Sequence, residues 1–382
     1  MKVRFLLPFL VLLASCSTEK TQSEGPADQI TVSLDTVLVD SGDEFLFLKD
    51  NLFMAELSPD KSYLINFNRQ DVGAERIDLN NLKLDQIIPL EKDGPNGIPQ
   101  YVSSFLITPE ENIFIWNYRF YKIFDQQGQL VEDLELEKLA PELLESSEIY
   151  PSKFFQDPKN PSRLVGLFIK WEENSYFMLD FDLESGEYTE IPIPGLDKTS
   201  DYRVDIVYDG NMAGSYGPGV YSLLAGNKIL ISSNTFNEVQ MLEMGADSLS
   251  VKSWDTPLLG AKRAYLPPKQ ADGKTGEIEE VVKKADSDFT YGPFTWDSEN
   301  NRFYRFSYKS YFEEEKDEYG RYIATRSDVF LSVFDEDLEL IAEALIPELT
   351  QKPKKHFVKD GKIWIYENMD DELAFVRVEV AF

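Results

Sequence analysis

The sequence predicts an all-β chain folded as a six-bladed β-propeller of four-stranded antiparallel blades, the last blade closed by an N-terminal strand. Three observations carry this expectation. A unit of turn residues followed by a β-rich run recurs six times, at 58–68, 108–118, 157–170, 224–234, 297–308 and 358–368. Between Tyr63, Ile113, Leu164, Ile229, Phe303 and Ile363, taken as equivalent strand starts, the intervals run from 50 to 74 residues, room for one four-stranded sheet per copy with insertions in the later ones. The two ends of the chain are also complementary. Residues 30–39 alternate like a strand before the first copy begins, and the last copy supplies only three strands before Phe382. A spare N-terminal strand that completes the last sheet removes the open edges that would otherwise pair with other molecules.

Taken in order, Lys2 and Arg4 precede an apolar run at 5–13 that ends in Leu13-Ala14-Ser15-Cys16. The run is too short to span a bilayer as a helix and carries small residues where a signal peptidase cuts. Leu-Ala-Ser-Cys resembles the bacterial lipobox, which implies that residues 1–15 are a signal peptide and that Cys16 is the lipidated N-terminus of the mature chain. With no second cysteine there is no disulfide to form within the chain, so stability is expected from packing. Residues 16–29 are polar and without hydrophobic period, a tether between lipid and domain. Length alone would allow two or three domains, but the repeat argues for one, over 30–382.

Blade one is expected around 52–67, 74–79 and 84–90, and blade two at 101–108, 112–117, 121–125 and 129–136. Asp78, Asp125, Asp182 and Asp335 open the turns of the outer hairpins, where a carboxylate accepts backbone bonds. Residues 134–149 have partial helical spacing broken by Pro141, so at most a short helix is expected. The polar stretch 260–288 reads as an excursion over one face of the ring, and 313–318 as a hairpin extension in blade five.

A net charge of −30 would repel phosphate backbones, so nucleic-acid binding is not expected, and the plainest role of the charge is solubility. No cofactor is expected. Calcium would suit such a surface, but Asp286-Ser287-Asp288 and Asp370-Asp371 lack EF-hand spacing. The chain has one histidine, His356, which excludes a multi-histidine metal site and reads as a solvent-facing residue at a strand end. Residues 268–275 end like a phosphate-binding loop but carry Pro268 where a glycine is required. Ala213-Gly214-Ser215-Tyr216-Gly217 approximates a nucleophile elbow outside the strand-turn-helix context the elbow needs, and 210–219 reads instead as a flexible loop approaching a strand.

The turn at Gly94-Pro95-Asn96-Gly97 joins blades one and two, and it is expected on the ligand face beside the axial channel. Asn96, Tyr101, Arg203, Tyr216, Tyr291, Trp296 and Arg305 are the candidate binding residues, because aromatic plates and guanidinium forks suit sugars, peptides and carboxylates. Those residues have a second reading, as packing between blades.

With these segments in view, the chain resembles a family of Bacteroidetes lipoproteins of unknown function whose members look like six-bladed propellers. The matching segments are Leu13-Ala14-Ser15-Cys16, the Gly94-to-Gly97 turn followed by Tyr101-Val102-Ser103-Ser104-Phe105, and Tyr291 through Trp296-Asp297 to Arg305-Phe306. Trp296 and Phe303 stand where the family pattern has tyrosines. Asp35-Thr36-Val37 and Asp247-Ser248-Leu249 look like the short O-glycosylation sequence of that phylum. The resemblance implies a cell-envelope location, with the outer membrane expected and neither of its faces assigned, since Ser17-Thr18-Glu19-Lys20 lacks the dense acidic run of surface display. The functional expectation is a lipid-anchored, non-catalytic module for a protein, peptide or glycan. The competing class is a polysaccharide lyase or glycoside hydrolase with its site at the axial channel.

Overall fold

In the computed structural model, which describes residues 30–382, six four-stranded antiparallel sheets are joined by a seventh, three-stranded one. Cys16 and the signal and tether segments lie outside the described residues. Strand β1 (Thr31–Leu38) comes first. Blade one is β2 (Ala55–Leu57), β3 (Tyr63–Asn68), β4 (Gly73–Asp78) and β5 (Lys83–Pro89), and blade two is β6 (Ser104–Ile107), β7 (Ile113–Asn117), β8 (Phe120–Phe124) and β9 (Leu130–Asp133). Helical turns α1 (Leu136–Leu139) and α2 (Pro141–Leu144), divided at Pro141 as expected, lead to blade three: β10 (Ile149–Asp157), β11 (Asn160–Lys170), β12 (Ser175–Asp182) and β13 (Glu187–Pro192). A 3-10 helix (Pro194–Tyr202) then leads to the hairpin β14 (Val204–Tyr208) and β15 (Asn211–Tyr216). Blade four is β16 (Val220–Ala225), β17 (Lys228–Ser233), β18 (Glu238–Glu243) and β19 (Ser250–Ser253). After β20 (Gln270–Asp272) and α3 (Glu277–Asp286), blade five is β21 (Thr290–Asp297), β22 (Arg302–Lys316), β23 (Tyr322–Phe334) and β24 (Leu340–Leu345). Blade six is β25 (His356–Lys359), β26 (Lys362–Met369), β27 (Glu372–Ala381) and, as its fourth strand, β1.

Both faces of each blade are buried, which strand alternation makes possible. Ile113 and Ile115 enter the core shared with blade one, whereas Phe114 and Trp116 of the same strand enter the core shared with blade three. The pattern continues between blades three and four, four and five, and five and six. It ends with Trp364 and Tyr366 of blade six packed with Leu64 and Ile77 of blade one. Six inter-blade cores for six blades close the circle. Strand β1 seals it through backbone hydrogen bonds, pairing antiparallel with β27 from Thr31 opposite Ala381 to Leu38 opposite Ala374.

The outer-hairpin aspartates are turn formers. Asp125 Oδ1 accepts from the amides of Gln127 and Gln129, and Asp335 Oδ1 from those of Asp337 and Glu339. At Gly166 a Cβ would stand 2.6 Å from Cε1 of Phe154, so this glycine makes the room that the largest aromatic cluster needs.

One expectation needs correction. Residues 210–219 are not a flexible loop: they contain β15, which pairs with β14, and β14 pairs in parallel with β20 from the 260–288 excursion. This accessory sheet and α3 share a small core of Val204, Ala271, Ile278 and Val281. Helix α3 carries Glu277, Glu279 and Glu280 in its first turn and Lys283 and Lys284 in its last, the polarity that its dipole favours. It is held to the blade-five hairpin by Lys283 with Glu314 and by Tyr322 with Glu280.

Candidate ligand-binding face

All six inner strands run in one direction, so the ring has an upper face where they begin and a lower face where they end. The accessory sheet stands on the upper face: Arg203, at the foot of β14, donates from Nη1 to the carbonyl of Trp171, in the β11–β12 loop. Between that loop and the accessory sheet is a cleft of about 510 Å³ lined by Trp171, Glu172, Glu173, Asn174, Ser200, Arg203, Asp205, Met212 and Lys269. Trp171 is 48% exposed and Met212 53%, an apolar platform unusual on so acidic a surface. The Arg203 guanidinium lies 5.6 Å from the indole centroid and its Nε donates to Asp205 Oδ1 at 3.1 Å, so the fork is held in place before any ligand arrives. Asn174, at a positive φ of 51°, keeps a buried Nδ2 without a hydrogen-bond partner.

A second group lies on the same face and is drawn from six segments. The hydroxyl of Tyr216, at the end of β15, meets Asp286 Oδ1 at 3.4 Å, beside Tyr221 of β16, Tyr308 of β22, Arg263 and Lys352. Burial raises the Asp286 carboxyl above the ordinary carboxylate range against the pull of Lys352 and Arg263. Burial, with Tyr308 adding to it, pushes the Tyr221 phenol up to about 12. All three phenols therefore act as neutral hydrogen-bonding groups at physiological pH.

The axial channel holds a third group. Lys153 of β10 forms an ion pair with Glu56 of β2, reaching past blade two, and both side chains remain about a quarter exposed. Burial pushes the Glu56 carboxyl up, but Lys153 and Lys355 outweigh it and hold it below the usual range. His356 is not the solvent-facing residue expected from its position. Its ring packs edge-on against Phe306, Nδ1 lies 2.7 Å from the Lys354 carbonyl, and Nε2 is buried without a partner. Burial, with the like charge of Lys355 adding to it, lowers its pKa to about 4. Because the unfolded chain protonates near 6.5, the unfolded state binds the extra proton first, so stability is full above pH 6.5 and falls towards pH 4. The loss should reach up to about 3 kcal/mol. Urea midpoints measured from pH 7 to pH 4 should show this slope, and His356→Gln should flatten it.

Of the seven residues nominated from sequence, Tyr101, Arg203 and Tyr216 lie on the upper face; Tyr101 is 64% exposed. The other four need correction. Asn96 accepts from the Leu130 amide and donates to Gln129 at the outermost strand of blade two, so its turn sits at the rim and not beside the channel. Tyr291 is fully buried and its hydroxyl donates to the Leu259 carbonyl. Trp296 packs on Phe303 with its ring tilted by 40° at the lower end of β21. Arg305 is 1% exposed, bonded to Asn237 and enclosed by Trp254, Tyr291, Phe294 and Phe334. Not nominated were Trp171, Arg263 and Lys352, outside the strands, and Tyr221 and Tyr308, on β16 and β22; Asp286 was weighed only as a calcium ligand. For Trp171 the available signal was an aromatic followed by Glu172, Glu173 and Asn174 in a polar loop.

Among the described residues, no group of three or more His, Cys, Asp or Glu side chains is placed to hold a metal ion. A profile of the family described as a domain of unknown function (DUF4221) matches residues 27–345. The chain belongs to this DUF4221 family. A crystal structure of a DUF4221 member from Bacteroides vulgatus is similar, with a TM-score of 0.67 at 16% identity, over 93% of this chain and 99% of that one. A putative exported protein from Bacteroides fragilis is similar at a TM-score of 0.50 and 9% identity, over 94% and 98% of the two chains. At these identities the likeness to solved structures shows the fold alone. No curated protein matches the chain.

Proposed function

We propose that this DUF4221 protein is a lipid-anchored envelope propeller that holds a glycan on its upper face without reacting with it, in the cleft beside the accessory sheet. The observation that carries this reading is the half-exposed indole of Trp171 set beside a pre-bonded Arg203. The C–H face of a sugar ring packs on such a plate, while Arg203, Lys269 and the carboxylates of Glu172, Glu173 and Asp205 exchange hydrogen bonds with its hydroxyls. A mixed set of donors and acceptors around one apolar surface suits a polyol better than a fully charged partner. The lipidated Cys16 would keep the ring at the membrane, and Thr36 and Ser248, both exposed, leave room for O-glycans.

A hydrolase at the axial channel would need a carboxylic acid of raised pKa and a second carboxylate at working separation. Glu56, paired with Lys153, has the opposite bias. The test is a thermal-shift screen of the full-length protein in detergent against glycans and peptides, with product analysis of each hit, because a ligand stabilises the folded state whatever it is. A glycan should raise the midpoint and be recovered intact, and Trp171→Ala should weaken its binding by at least tenfold, the scale of losing a buried aromatic contact. A cleaved ligand, or a set of neutral-glycan hits of which Trp171→Ala weakens none, would overturn the proposal.

A further inference from the structure

We propose that Arg263, Lys352, Asp286, Tyr216, Tyr221 and Tyr308 form a second ligand site, independent of the Trp171 cleft, that takes a carboxylate-bearing sugar of the hexuronate class. Arg263 is 3% exposed, and its guanidinium is fixed by two bonds, Nε to the Phe289 carbonyl at 3.2 Å and Nη2 to Thr290 Oγ1 at 2.9 Å, which leave Nη1 for a ligand. The ammonium of Lys352, on an exposed residue, lies 5.3 Å from the ring centroid of Tyr308, whose strand partner Thr290 also holds Arg263. Within this group two cations face one carboxylate, Asp286, while the neighbouring Asp288 is taken up by the amides of Tyr265 and Phe289, so the group keeps an excess positive charge that a monocarboxylate matches.

The remainder of the ligand must be polar and uncharged. Asp286 and the three phenols offer acceptors and donors suited to hydroxyl groups, and Asn234, whose Oδ1 is buried without a partner, flanks Gly219 together with Tyr221: a Cβ there would stand 3.5 Å from Asn234 Nδ2 and 3.6 Å from the Tyr221 hydroxyl. A phosphate dianion would exceed the single positive charge in excess, and a free amino acid would carry an ammonium that leaves that charge uncancelled. An acidic sugar meets both conditions: its carboxylate goes to Arg263 and Lys352, and its ring hydroxyls to Asp286 and the tyrosines. The site draws on the accessory hairpin, α3 and blades four and five together, which gives the insertions between those blades a purpose beyond connection.

The experiment is calorimetric titration of the full-length protein in detergent with trigalacturonate, its methyl ester, and a neutral glucose trimer. The acid should bind, the ester and the neutral trimer at least tenfold more weakly, and Lys352→Ala should weaken the acid by about tenfold, the loss expected for a charge-assisted bond. Lys352 is exposed, so its variant should melt with the parent protein. Tyr221→Phe offers a second, conservative variant with a smaller loss. Trp171→Ala should leave trigalacturonate binding unchanged, which separates this site from the cleft. Equal binding of acid and ester, a preference for a zwitterionic amino acid or inorganic phosphate, no binding of the acid, or full binding by Lys352→Ala would each overturn the proposal.

Discussion

A chain that lacks residues 1–38 should melt well below one that lacks residues 1–29 and should associate in solution. The difference between the two is β1, which covers the outer edge of β27 through eight paired residues and is fastened by Asp35 to Arg377. Its loss also takes Ile30 and Val32 out of the core between blades five and six and Val37 out of the core between six and one. Burial of the largely enclosed Ile30 alone is worth about 2 kcal/mol, and the strand-ordering entropy that β1 no longer has to meet offsets part of the hydrogen-bond loss. We expect a net loss of roughly 3 kcal/mol, together with dimers or larger species formed through the bared edge. Scanning calorimetry with light scattering would read both effects, and a peptide of residues 30–39 added in excess should restore the midpoint. An unchanged midpoint would mean that the ring does not need its N-terminal strand.

Phe154→Ala should cost about 3–5 kcal/mol, the range for a buried phenylalanine that leaves a cavity. Phe154 is 1% exposed and meets four rings: Phe114 at 5.2 Å, Trp116 at 5.1 Å, Phe168 at 5.6 Å and Tyr121 at 5.8 Å. Three of these contacts cross from blade three to blade two, so the substitution loosens an inter-blade seam as well as emptying a core. A shift in the denaturant midpoint with little change in slope is the expected signature. A cost below about 1 kcal/mol would show that the seam collapses to fill the space.

Turn chemistry and period-two alternation made the ring legible. The strand starts inferred at Tyr63 and Ile113 open β3 and β7 as proposed, and those at Ile229, Phe303 and Ile363 lie one residue inside β17, β22 and β26. The pairing of residues 30–39 with the last blade was legible for the same reason, because a missing strand and a spare one can be counted. The accessory sheet was not. Its parallel pair joins Asp205–Val207 to Gln270–Asp272 across all of blade four, and a three-residue strand carries too little period to detect. Alternation also separates two faces of a strand without saying what each face meets. In a propeller both faces are buried against neighbouring blades, so Tyr291 and Arg305, chosen for their chemistry, proved to be inter-blade packing. Trp171 and Asp286, in a loop and at a helix end, acquire their roles only through tertiary neighbours.

The reading of the upper face as the binding face rests on Trp171, Arg203 and the accessory sheet acting as one surface. Hydrogen–deuterium exchange of the full-length protein, with and without a ligand identified by thermal shift, tests that most directly. Added ligand should protect amides in 171–174 and 203–212 and leave the lower-face turns at 58–62, 298–301 and 359–362 unchanged. Protection confined to those lower turns would place the ligand on the opposite side of the ring and contradict the account.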